Sequence, residues 1–355
     1  MPAAKSARDA RIPAMRRALL AWFARHRRPM PWREEVSAYR TVVSELMCQQ
    51  TQIATAIPYF ERWTARWPDF AALARAEEAE VLALWAGLGY YSRARNLLHL
   101  ARQVAALPRP PRTAAEWRAF KGVGPYTAAA IASIAFEEPV AVVDGNVVRV
   151  LARLDGERTR LRDAVSAAKA FGPRAAELVD PQLPGDFNQA MMELGATVCR
   201  KGEPDCPRCP LARWCDARQA GDARLLPRFV AKERRAAVVE RALIVRGGKA
   251  LLRRNPAHAK RLAGLAEIPA LASLGLEPGG APALVRRRTI GAVTYEEKLH
   301  AIEPGAAELR RWARDGELEW VDVRSLAEAA LSGPHLRWLG EWLSPGGRTK
   351  RGRRP

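Results

Sequence analysis

Residues 120–127 read Phe-Lys-Gly-Val-Gly-Pro-Tyr-Thr, and the Ala-rich run 128–135 follows directly. Pro125 can open a helix because its missing N–H is not needed there. Glycines at 122 and 124 let a backbone pass close to a phosphate, and the N–H groups starting the next helix then face that anion. A Gly-x-Gly alone is usually just a turn. Here Lys121 precedes it, helical patterns flank it, and Val123 can plug the hairpin into the core. Twenty residues after Gly124 comes Val142-Val143-Asp144-Gly145-Asn146-Val147. Asp144 could simply cap the helix that starts near Val147. After such a hairpin, it also reads as a charge held at a site.

The surrounding chain has 355 residues and 48% hydrophobic content, enough for two packed domains. Its 58 Lys and Arg against 38 Asp and Glu give a net charge of +20, which suits a polyanion. No apolar run is long enough for a membrane span, and the N-terminal apolar stretch 18–24 is too short for a secretory signal. The expected location is cytoplasmic. Residues 14–220 carry helical periodicity, broken at 68–69, 87–89, 108–111 and 137–139. A basic stretch, 224–235, looks like a linker. Beyond it the pattern shifts to short strands at 238–246, 250–253 and 298–302, with Gly247-Gly248 as a hairpin turn. A helical pattern closes the domain at 336–343. Residues 345–355 hold five cations and no acid, and read as a disordered tail that binds DNA non-specifically.

Cys199, Cys206, Cys209 and Cys215 follow C-x6-C-x2-C-x5-C. Four thiolates so close in sequence can converge on one metal centre, and a structural zinc is the simplest occupant. Zinc sites more often use two separated CxxC pairs, whereas here one CxxC has two outlying partners. Cys48 stands alone in an apolar helix and reads as a packed residue rather than a nucleophile.

The cysteine spacing and the hairpin together resemble the endonuclease III superfamily of DNA glycosylases. That resemblance implies one [4Fe-4S] cluster on the four cysteines, a DNA grip by Lys121, Gly122, Val123 and Gly124, and Asp144 as catalytic aspartate. Three features resemble its adenine-excising, MutY-type branch. Tyr126 stands where bifunctional relatives carry lysine, so Schiff-base chemistry and strand cleavage are not expected. Ser44-Glu45-Leu46-Met47-Cys48-Gln49-Gln50-Thr51-Gln52 resembles the branch's most characteristic motif. Glu45 lies among apolar residues, where burial raises a carboxyl pKa and keeps it a usable acid for an otherwise poor leaving group. Residues 87–96, Gly-Leu-Gly-Tyr-Tyr-Ser-Arg-Ala-Arg-Asn, resemble the minor-groove loop. Gln49, Gln50, Thr51, Leu88, Gly89 and Tyr90 are then DNA contacts, with Gln50 and Tyr90 entering the base stack. Trp32, Arg33 and Gln189 would line the adenine pocket, and Tyr126 and Asn146 would orient the two acids.

The resemblance implies a multidomain α and α+β architecture. An all-helical helix-hairpin-helix glycosylase domain spans 1–225, with the hairpin at about 117–136 and the cluster loop at 199–215. A linker at 226–237, a Nudix-like α/β lesion-recognition domain at 238–343 and a basic tail at 344–355 follow. Residues 262–269 resemble the family segment ending Trp-Glu-Phe-Pro, with alanine replacing tryptophan. The carboxylate box that Nudix hydrolases use for magnesium is missing, so no nucleotide hydrolysis is expected. The lesion-reading loop, usually Phe-Ser-His, corresponds to 288–296, where Thr294 and Tyr295 are the candidate substitutes. The expected partner is double-stranded DNA with adenine opposite 8-oxoguanine or guanine, bound by a nucleoid-associated monomer. Other repair proteins are implied partners, but no motif identifies them.

Overall fold

The computed structural model describes residues 10–231, 235–256, 259, 264–326 and 329–344. The basic tail 345–355 and residues 262–263 lie outside the described residues. The chain divides into two compact units, Met1–Val230 and Ala231–Pro355. No helix among the described residues is long and apolar enough to cross a membrane.

The first unit is helical, and its breaks follow local chemistry. Ser37 caps the Ala38–Cys48 helix by accepting from Arg40 N at 3.2 Å. Asp69 caps Phe70–Ala74 through Ala72 N at 2.7 Å. Thr113 and Glu116 form a reciprocal box on Ala114–Trp117. Proline opens the Pro31–Glu34, Pro125–Phe136 and Pro184–Thr197 helices. Apolar faces gather into two main cores. One packs Val42, Leu46, Phe60, Trp63, Trp85, Leu97 and Ile131. The other packs Leu19, Phe23, Val147, Leu151, Phe187 and Leu194. The Pro125–Phe136 helix is apolar nearly all round, and it packs on both Ala38–Cys48 and Pro184–Thr197. It therefore joins the two cores, and the residues lining their junction come from both.

Part of the expected linker belongs to this unit. Leu226 is buried, and Arg153 Nε donates to its carbonyl at 2.9 Å. Leu161 N donates to Arg228 O and Val230 N donates to Leu161 O, both at 2.9 Å. The polar composition read as a linker conceals these backbone bonds, which any sequence can make.

The second unit holds two sheets. β1 (Arg235–Leu243) runs parallel to β6 (Val293–Ala301), which pairs antiparallel with β5 (Leu284–Ile290). β2 (Val245–Arg246) and β3 (Lys249–Arg254) form the expected hairpin, with Gly247 and Gly248 at φ 55° and 76° in its turn. β3 also pairs with β4 (Ala266–Glu267) and β7 (Leu318–Asp322). Neighbouring residues bury on opposite sides. Leu243, Ala250 and Leu252 join Trp338 and Leu339 of the Gly333–Leu343 helix, while Ala242, Ile244 and Leu251 join Trp312 of Ala306–Trp312. Residues 288–296 are not a loop. They are the ends of β5 and β6 joined by the tight turn Gly291-Ala292, with Thr289 and Thr294 hydroxyls 3.1 Å apart across the pair. The β-branched and aromatic residues there favour a ladder over an irregular loop.

Gly185 marks a close helix approach in the first unit: a Cβ there would lie 2.7 Å from Ser133 O and 3.0 Å from Ile134 Cα. Both are backbone atoms and cannot rotate aside. Gly185→Ala is expected to destabilise the unit by about 1–3 kcal/mol, read as a lower urea midpoint at unchanged slope.

Candidate active site

Glu45 sits on Ala38–Cys48 with Val42, Val43, Leu46 and Met47 buried around it. Its side chain keeps some exposure, but protein atoms crowd its carboxyl. Burial pushes that carboxyl up to about 7, the nearby Asp144 charge adds to the rise, and a hydrogen bond from Tyr126 and the charge of Arg33 oppose it. Tyr126, on the bridging helix, is itself held well above the usual phenol range by burial and the two carboxylates. Asp144 belongs to the second core. It caps Gly145–Leu154, its Oδ1 accepting from Val147 N at 2.7 Å. Its Oδ2 accepts from Asn146 Nδ2 at 2.7 Å. The cap reading of Asp144 is therefore seen on one oxygen, and the other is held by Asn146. Burial raises its carboxyl, and these N–H donors work against the rise.

Asn146 is fixed in turn. Its Oδ1 accepts from Arg149 Nη2 at 2.8 Å, and Arg149 also donates to Gly195 O and Cys199 O, each at 2.7 Å. Gly195 has no room for a side chain, since a Cβ would meet Asn146 Cβ at 2.6 Å. Arg153, fully inside, donates to Cys199 Sγ at 3.3 Å and Arg200 O at 2.8 Å. Cys199, Cys206, Cys209 and Cys215 line one cavity together with Arg153. No group of three or more His, Cys, Asp or Glu converges as a single-ion site among the described residues. The thiols surround a space instead of meeting at a point.

Of the residues expected at the adenine pocket, Arg33 Nε donates to Gln189 Oε1 at 3.0 Å, Nη1 to Arg28 O and Nη2 to Glu193 Oε2, both at 3.0 Å. With its oxygen accepting from Arg33, the Gln189 amide has its NH₂ group to offer a ligand. Glu193 is buried between Arg28 and Arg33. Burial would raise its carboxyl, but the two guanidinium groups outweigh that and hold it below the usual range. Trp32 packs edge-on against Phe60 with ring centroids 5.1 Å apart.

Gln50 and Tyr90 are exposed, both at positive φ (56° and 50°), while Leu88 is buried. Gln49 and Thr51 flank Gln50 and are half-buried. In the hairpin, Lys121 is exposed and Val123 is buried as expected. Gly122 (φ 88°) needs the left-handed region, and Gly124 does not. Thr294 and Tyr295 belong to the second unit, on β6. Burial holds the Cys48 thiol up at about 12, which leaves it inert.

Sequence reasoning missed Arg93, Arg149, Arg153 and Glu193. Arg149, Arg153 and Glu193 are each a charge inside an apolar helical stretch, such as Val147-Val148-Arg149-Val150, whereas Arg93 lies in the polar run Ser92-Arg93-Ala94-Arg95-Asn96. For the first three, that interruption was the available signal.

The raised Glu45 carboxyl has a stability consequence. Between pH 4.5 and about 7 the folded chain holds a proton that the unfolded chain has released, so stability falls as pH rises across that window. Glu45→Gln removes this loss. The variant is expected to match the wild type below pH 4.5 and to exceed it above pH 7 by on the order of 3 kcal/mol, read from thermal melts at both ends. An unchanged difference would mean that the carboxyl is not desolvated.

Residues 43–171 match the family model described as HhH-GPD superfamily base excision DNA repair protein. Over 230 residues, 60% of this chain and 44% of the relative, the sequence is 47% identical to the adenine DNA glycosylase of Rattus norvegicus. Over 206 residues it is 40% identical to that of Mycolicibacterium smegmatis, covering 57% of this chain and 69% of the relative. The chain spans less than half the length of the first mammalian and plant relatives it matches. A solved thermostable thymine-DNA glycosylase superposes with a TM-score of 0.54 at 26% identity, covering 60% of this chain and 99% of that one. With the paired carboxylates, the hairpin and these relatives together, the chain belongs to the adenine DNA glycosylase family of HhH-GPD base-excision repair proteins.

Proposed function

We propose that this chain hydrolyses the N-glycosidic bond of adenine opposite 8-oxoguanine or guanine in duplex DNA, leaving an abasic site. The observation that carries this reading is Glu45. At neutral pH a carboxyl titrating near 7 is protonated about half the time and can act as a general acid and then as a base. Glu45 gives its proton to N7 of adenine. The C1′–N9 bond breaks with its electron pair leaving on the base, so adenine departs neutral. Asp144, held by Val147 N and Asn146 Nδ2, faces the oxocarbenium-like sugar with its negative charge. Water adds to C1′, and its proton returns to Glu45. Arg33 and the Gln189 NH₂ hydrogen-bond the extruded base, and Trp32 borders it. Tyr126 and Asn146 hold the acids in place. Tyr126 offers no amine, so strand cleavage through a Schiff base is absent.

Extrusion uses the DNA contacts of Gln49, Gln50, Thr51, Leu88, Gly89 and Tyr90, with the Lys121–Gly124 hairpin on the backbone. The second unit is read as a Nudix-like domain that senses the opposing base, with Thr294 and Tyr295 as its contacts. Because they sit on a strand paired on both sides, they would present from a rigid sheet.

Cys199, Cys206, Cys209 and Cys215 would hold one [4Fe-4S] cluster. Four thiols around a shared cavity are the donors that such a cluster takes. The cluster would fix the loop carrying Arg200, Lys201, Arg208 and Arg213 for phosphate contact. The chain is read as a monomer acting in the cytoplasm, on the nucleoid.

Single-turnover release of free adenine, from duplexes with adenine opposite 8-oxoguanine, guanine or cytosine, tests the assignment. Fast release opposite 8-oxoguanine, slower opposite guanine, and a loss of about 10²–10⁴-fold in Glu45→Gln are expected. The wild-type rate should fall as pH rises through about 7. No release from any duplex, or a strong borohydride cross-link, would point to a pyrimidine-lesion enzyme. The cluster has its own test. Purified protein should carry iron and acid-labile sulfide in equal amounts, and Cys206→Ser should lose both along with DNA affinity. Bound zinc in their place would overturn the cluster.

A further inference from the structure

Gln50 and Tyr90, the two residues read as the wedge, are exposed and both held at positive φ, a backbone region that side chains other than glycine disfavour. They sit on separate segments, one after the Ala38–Cys48 helix and one before the Ser92–Ala105 helix. A single buried side chain ties these segments together. Arg93 Nη1 donates to Leu46 O at 2.7 Å and to Gln49 O. Its Nη2 donates to Leu88 O and Gly89 O, each at 3.3 Å. The guanidinium lies over the Tyr90 ring, 5.1 Å from its centroid, and over Trp85 at 5.6 Å. Trp85 Nε1 adds a bond to Gly89 O at 2.9 Å. No acid pairs with Arg93 among the described residues. Its charge faces carbonyls instead, and two of them, Leu46 and Gln49, belong to the negative end of a helix dipole.

We propose that Arg93 is the positioning residue of base extrusion, fixing Gln50 and Tyr90 at one separation so that they enter the stack as a preformed pair. This inference rests on the reading of Gln50 and Tyr90 as the wedge. The requirement is for a planar fork. One nitrogen serves each segment, and an ammonium cannot bridge both in a fixed geometry. Arg93 is buried and its bonds go to backbone carbonyls of the two wedge segments, so on this reading it acts on extrusion and not on bond cleavage. A misplaced wedge should therefore slow unstacking and leave the chemistry of Glu45 unchanged.

The test is a cycle of variants on duplexes carrying 2-aminopurine at the target position, whose fluorescence rises on unstacking, and on adenine duplexes for excision. Arg93→Lys is expected to slow extrusion and single-turnover excision at least tenfold, with the pH midpoint of excision unmoved. In a Gln50→Ala/Tyr90→Ala background the same replacement should change the extrusion rate less than twofold, because the wedge it serves is gone. A tenfold loss in both backgrounds, or a shifted pH midpoint, would overturn the proposal and make Arg93 a structural residue. If Gln50→Ala/Tyr90→Ala alone left extrusion unchanged, the wedge reading would fail first and take the inference with it. Should Arg93→Lys not fold, Trp85→Phe removes the second bond on Gly89 and is expected to show the same dependence on the wedge at smaller size.

Discussion

A carboxylic acid is useful as a proton donor near neutrality only where water is kept from its charged form. In the proposed reaction that constraint falls on Glu45, whose carboxyl is crowded by residues of the first unit. The Ala38–Cys48 helix buries its apolar residues in one core, and the bridging helix brings Tyr126 across to the carboxyl. The second core supplies Asp144 and Asn146 from the start of another helix. Like charges in the same crowded place work against joint ionisation. Burial raises both carboxyls, and the N–H donors of Val147 and Asn146 work against that rise at Asp144.

Such a pocket needs fixed charges around it, and each has a partner. Glu193 lies between Arg28 and Arg33, and Arg33 in turn aims the Gln189 amide. Arg149 spans Asn146 and the backbone at Gly195 and Cys199, so the orientation of Asp144 is tied to the loop of four cysteines. Removing one member of a buried pair leaves the other uncompensated, a loss of about 3–5 kcal/mol. These networks favour a unique geometry at the site more than they favour overall stability.

Much of the site was legible because its residues lie in short contiguous motifs. The hairpin at 120–127, the four cysteines, Asp144 and the Glu45 segment are each defined by spacing along the chain. Helix caps and proline starts were equally local. The Arg93 fork was not legible, because its acceptors are backbone carbonyls 44 to 47 and 4 to 5 residues away. Carbonyls carry no residue identity. The same reason hides the attachment of residues 228–230 to Leu161, and composition misread that stretch as a linker. In the second unit, residues 288–296 read as a loop because ladder pairing between β5 and β6 is set by their register, not by either segment alone.

By itself the sequence determined which groups are present and in what local conformation: two acids, a phenol in place of an amine, four closely spaced thiols and a hairpin with a glycine at positive φ. Those follow from residue chemistry and backbone sterics over a few neighbours. Only the tertiary structure decided that Glu45 is desolvated to a pKa near 7, that Asp144 is held by Asn146 and through it by Arg149, and that one guanidinium couples Gln50 to Tyr90. Desolvation and hydrogen-bond geometry depend on atoms from distant segments meeting at one place, and no single stretch of chain contains that information.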